Sequence, residues 1–80
     1  SPLDGVWVCK GKATSVVVFK GGKMIYADGN MGNVTLKNGI IHVQWDSGWW
    51  HKLTPDPKIT NLWRGTNPHK AQFTYERLKW

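Results

Sequence analysis

Turn-forming residues interrupt this chain too often for helices to develop. Gly11, Gly21-Gly22, Asp28-Gly29-Asn30, Asn38-Gly39, Asp46-Ser47-Gly48, Pro55-Asp56-Pro57 and Gly65-Thr66-Asn67-Pro68 follow one another along the sequence. They recur at intervals of about nine residues, the rhythm of successive short strands. The segments between them are rich in Val, Ile, Thr and aromatic residues and tend to alternate, as Ile41, Val43 and Trp45 do with Ile40, His42 and Gln44. Period-two alternation of such residues is the pattern of a half-buried strand. The expected fold is therefore all-β: a small antiparallel meander of about eight short strands, closed or nearly closed into a barrel, forming one domain over residues 1–80.

A core is hard to build at this length. Eighty residues lie near the lower limit for a domain held together by packing alone. Cys9 is the only cysteine, so no intrachain disulfide can form. The chain does contain six tryptophans, and each large ring can bury on the order of 200 Å². Core-building is the first role to assign to most of them.

Two turns set the register of the middle strands. Read as a two-residue type I′ turn, Asn38-Gly39 pairs Lys37 with Ile40, Leu36 with Ile41, Thr35 with His42, Val34 with Val43 and Asn33 with Gln44. Read as a three-residue loop with Gly48 left-handed, Asp46-Ser47-Gly48 sets Trp45 against Trp49, Val43 against His51 and Ile41 against Leu53. The apolar stripe then points inward. Trp50 points outward beside Gln44, and Lys52 lies beside His42, with Asn33 and Thr35 on the next strand. Further upstream, Val16 to Phe19 and Met24 to Tyr26 are apolar on both faces, so either face can be the core. Strands apolar on both sides need a covering layer or a second subunit, which makes those carrying Val16, Val18 and Ile25 the place for a homo-oligomer contact.

Gly5-Val6-Trp7 opens the first strand and Arg77 lies on the last. This resembles the Gly-X-Trp start and late arginine of lipocalin-like and avidin-like up-and-down β-barrels, in miniature. The resemblance implies that the arginine packs across the tryptophan. It covers two short features and the meander rhythm, and a barrel of such short strands filled by Trp, Phe, Met and Tyr has little room for a lumen.

Eleven Lys and Arg against five Asp and Glu leave a net charge of +6, which favours anionic partners. Alternate turns of a meander fall at the same end, so Lys20, Lys23, Lys37, Lys58, Arg77 and Lys79 are expected to share a basic rim. No apolar run approaches the ~20 residues of a membrane span. Most of the acids sit in turns, where Asp bonds its own backbone, and no pair of carboxylates can be nominated for catalysis. His42 and His51 fall on opposite faces and should not share a metal ion. These patterns point to a non-catalytic binding protein without cofactor or metal. Trp50, Gln44, His42, Thr35, Asn33 and Lys52 form a site for a glycan or other polar ligand, and single-stranded nucleic acid on the basic rim is the alternative.

Overall fold

A computed structural model describes residues 3–79. The alternating segments form β1 (Gly5–Lys10), β2 (Thr14–Lys20), β3 (Lys23–Tyr26), β4 (Met31–Lys37), β5 (Ile40–Gln44), β6 (Trp50–Pro55), β7 (Leu62–Thr66) and β8 (Gln72–Lys79). Each strand pairs antiparallel with the next, and β8 returns to pair with β1, closing an eight-stranded barrel. Closure removes the unpaired sheet edges that would otherwise template aggregation. Among the described residues there is no helix, and so none long and apolar enough to cross a membrane.

The register of β4, β5 and β6 follows the turn chemistry. Asn38 and Gly39 take φ values of 54° and 76°, the left-handed pair that a type I′ turn requires. Asn33 to Lys37 pair with Gln44 to Ile40 as the turn dictates. Gly48 has φ 92°, and the Trp45 N–H donates to the Trp49 carbonyl at 2.9 Å. Val43 therefore faces His51, and Ile41 faces Leu53.

The inward side chains fill the barrel. Trp7, Val17, Phe19, Met24, Ile41, Val43, Leu53 and Tyr75 are buried, and the space between Leu3, Trp7, Phe19, Ile41, Leu53, Trp63 and Tyr75 holds no water-sized void. Trp45 is less deeply placed than the alternation suggests. It points inward but is half-buried at one end of the barrel, its ring stacked on Tyr26 at 5.7 Å. At the opposite end the Arg77 guanidinium lies 4.4 Å from the Trp7 ring centroid. Arg77 Nη1 donates to the Asp4 carbonyl at 2.8 Å and its Nε to Asn61 Oδ1 at 3.2 Å, while Trp7 Nε1 donates to the Leu3 carbonyl at 2.9 Å. This cluster seals that end.

The ambiguity of β2 resolves with Val17 and Phe19 inside and Val16 and Val18 outside, 46% and 36% exposed. One expectation is overturned. Gly65 and Thr66 do not belong to the turn but end β7, and the chain reverses at Asn67, whose carbonyl accepts the Lys70 N–H at 2.8 Å. Gly65 points inward, where a Cβ would lie 2.3 Å from the Phe73 ring and 2.6 Å from Leu53. Its lack of a side chain lets β7 sit close over these two residues, as glycine inside a strand often does.

Candidate functional site

The outer face of β4, β5 and β6 carries the polar residues in two rows. Asn33, Gln44 and Trp50 are cross-strand neighbours in one row, and Thr35, His42 and Lys52 in the other. Trp50 and His42 are half-buried, and the other four are exposed. The face is partly engaged already. Lys23 Nζ donates to Asn33 Oδ1, and Gln44 Nε2 donates to the Trp49 carbonyl at 3.2 Å. Among the described residues the Gln44 side-chain oxygen accepts no hydrogen bond, which leaves it as an acceptor on the residue paired with Trp50.

Barrel closure extends this face beyond the strands whose register was legible. The second row continues from Lys52 to Thr66 and Gln72, and beneath it Thr54, Arg64, Thr74 and Lys10 form a third row across β6, β7, β8 and β1. Together they line a shallow outer groove of about 480 Å³, with the backbone of Gly65 in its wall. The close seat of β7 over Phe73 and Leu53 provides a reason for the dip. Sequence reading missed the groove because its residues come from both ends of the chain. The available signal was Gly65 itself, a glycine bordered by the strand residues Trp63 and Arg64.

The lysines gather at one end as the meander requires. Lys20 and Lys23 flank the turn after β2, Lys37 flanks the turn after β4, Lys58 lies in the loop after β6, and Lys79 ends β8. Arg77 lies at the same end with its guanidinium packed over the Trp7 ring, partly withdrawn from solvent. Asp56 further dilutes the rim. It accepts backbone N–H bonds from Lys58 and Ile59 at 2.8 and 2.9 Å and a 2.9 Å ion pair from Arg64 Nε. These bonds, the backbone ones foremost, hold its carboxyl below the usual range.

The other end opens on an aromatic vestibule lined by Trp49, His69 and Phe73, with His51 at its floor. Trp49 Nε1 donates to His51 Nε2 at 3.4 Å, which places the imidazole proton on Nδ1, where it donates to Tyr75 Oη at 2.8 Å. Tyr75 in turn contacts the Tyr26 hydroxyl at 3.3 Å. Among the described residues no buried side-chain polar atom lacks a partner. Burial pushes the His51 pKa down to about 4 and raises those of the Cys9 thiol and the Tyr75 hydroxyl. All three groups are therefore neutral at pH 7.

No family model, curated protein or solved structure matches this chain. Among the described residues, no three of His, Cys, Asp and Glu come together to hold a metal ion. His42 points out from β5 while His51 points into the barrel. The raised Cys9 pKa disfavours the thiolate that a nucleophile or soft-metal ligand needs.

Proposed function

We propose that this protein is a non-catalytic binding module that recognises carbohydrate through the outer face of β4, β5 and β6. The supporting observation is the placement of Trp50, a partly exposed indole on the outside of a barrel, paired across strands with Gln44 and two positions along β6 from Lys52. An indole face stacks on the C–H face of a sugar ring, and the surrounding amide, hydroxyl, imidazole and ammonium groups of Gln44, Asn33, Thr35, His42 and Lys52 suit its hydroxyls. Shallow sites built from one aromatic platform and a few directed polar groups suit such ligands.

A glycan array followed by titration calorimetry tests this reading. Trp50→Ala is expected to remove ~1–3 kcal/mol of binding, by analogy with aromatic stacking on bases. Full affinity in the variant would remove the platform from the site and overturn the proposal.

Two other observations favour other partners. The lysines at the β2, β4 and β6 turns form a basic end that suits single-stranded nucleic acid. Each phosphate it neutralised would add ~0.7 to the logarithmic salt slope, and replacing Lys20, Lys23 and Lys37 together with alanine would flatten that slope. On the outer face of β1 to β4, Val6, Val18, Ile25 and Met31 form one cross-strand row, with the exposed Val16 in the next, paired with the buried Val8. A second copy of the chain would cover this row. Light scattering reads that association directly, because a monomer has a mass of 9.1 kDa. Self-association through this row is expected to give twice that mass and to revert in Val18→Asp; a monomer at all concentrations would exclude it.

A further inference from the structure

The groove beside the Trp50 face is lined by three cations and no carboxylate. Lys52 belongs to both surfaces, lying one step from Trp50 along the outer side of β6 and in the groove wall as well. Arg64 and Lys10 flank Thr74 on the strands either side of β8, which separates their backbones by roughly 10 Å, two strand spacings. The three positive groups therefore form a triangle, with the neutral side chains of Thr54, Thr66, Thr74 and Gln72 between them.

Each cation is available in a different way. Lys52 has no ion-pair partner among the described residues. Arg64 gives only its Nε to Asp56, which the Lys58 and Ile59 N–H groups hold in place. Its two terminal nitrogens remain for a bidentate contact with a carboxylate or sulfate, and their geometry is set before any ligand arrives. Lys10 pairs with Glu76 at 3.2 Å, with the two side chains 57% and 53% exposed. Exposed pairs of this kind contribute little, so a ligand anion can displace Glu76 at small cost.

From this geometry we infer that the groove takes an acidic saccharide, an oligosaccharide bearing carboxylate or sulfate groups, whose chain continues from a sugar ring stacked on Trp50. The inference rests on the carbohydrate reading and gives its ligand a charge. Hydroxyl and amide side chains between the cations match the hydroxyls between the charged groups of such a chain. Single-stranded nucleic acid suits the groove less well. Proteins that hold it offer aromatic platforms to successive bases, whereas among the described residues Trp50 is the aromatic residue of the outward rows, and Phe73, which also lines the groove, packs its ring against His51 on the interior side.

The test uses four probes on the intact chain: a sulfated heparin oligosaccharide, an oligogalacturonate, a neutral cello-oligosaccharide of matched length, and oligothymidylate. At least one of the two acidic saccharides is expected to bind more tightly than the neutral one. It should lose roughly twentyfold in affinity between 50 and 200 mM salt, taking three contacts at the slope of ~0.7 each known for single strands. Lys10→Ala, Lys52→Ala and Arg64→Ala combined should remove most of that salt dependence. Because Arg64 also braces Asp56, Lys52→Glu alone provides a second variant that disturbs no observed contact, and it should weaken the acidic saccharide at least tenfold. Heparin and oligogalacturonate show which anionic group is read. Equal binding of the neutral oligosaccharide, without salt dependence but still lost in Trp50→Ala, would overturn the acidic ligand and leave the carbohydrate reading intact. Acidic saccharide binding unchanged in both charge variants would overturn the groove. Tightest binding of oligothymidylate, relieved by changing Lys20, Lys23 and Lys37, would overturn both readings, as would the absence of any saccharide binding.

Discussion

Trp7→Ala is expected to lower the unfolding free energy by about 3–5 kcal/mol, the range for large buried aromatics truncated to alanine. Trp7 is 2% exposed, its ring lies 5.9 Å from that of Phe19, and its Nε1 satisfies the Leu3 carbonyl. Truncation would open a cavity where the side chains around Trp7 leave no water-sized void, remove the hydrogen bond from Trp7 Nε1 to the Leu3 carbonyl, and strip Arg77 of the ring it covers. Small domains have only about 5–15 kcal/mol to lose, and at roughly 4–8 °C per kcal/mol the melting temperature should fall by about 12 °C or more. Trp50→Ala, on the outer face, should cost under about 1 kcal/mol. Trp45→Ala should fall between them, because its ring is already partly exposed and what it loses is the stack on Tyr26 and the edge contact with His51. Denaturant midpoints of the three variants check the order. A loss in Trp7→Ala no larger than in Trp50→Ala would mean that the sealed end contributes little to the fold.

Acidification should destabilise the barrel through His51 by about 3 kcal/mol. Its pKa is about 4 in the folded protein against an ordinary 6.5, and each pKa unit of difference is worth 1.36 kcal/mol. The unfolded chain takes up the proton as pH falls through 6.5, whereas the folded chain resists until about pH 4. Between these limits the unfolded state binds more protons, so stability rises with pH. The contribution is fully present above about pH 6.5 and fully lost below about pH 4. The cause is local. Protonation would put a hydrogen on Nε2 facing the Trp49 N–H, in a pocket walled by Trp45, Phe73 and Tyr75, with no carboxylate among those neighbours. Unfolding free energies at pH 7.5 and 4.5 measure the effect, and His51→Gln should flatten the slope although it lowers stability at neutral pH. The same slope in His51→Gln would assign the acid sensitivity to other groups, such as Asp56, whose carboxyl is held below its usual range and should lose its contribution only at lower pH.

The division between what was legible and what was not follows the range of the interactions concerned. Asn38-Gly39 and Asp46-Ser47-Gly48 determine the pairing of β4, β5 and β6, because a turn of known length and handedness specifies which residues face each other. That was enough to send Trp50, Gln44, His42 and Lys52 outward and His51 inward from the sequence. In β2 the same logic fails, since Val16, Val17, Val18 and Phe19 are apolar on both sides. Only closure of the barrel resolves it, by setting Trp7 between Val17 and Arg77 so that these side chains share the interior. The groove is likewise a product of closure. Lys10 and Arg64 lie far apart in the chain, and they approach because both β1 and β7 pair with β8. Gly65 looks like part of a turn until Phe73 and Leu53 are seen filling the space its side chain would occupy. Local turn chemistry therefore determined the strands and the central register of this protein. Contacts between distant strands, whose partners no local pattern names, decided which face of the N-terminal strands is core and where the outer surface dips to form a site.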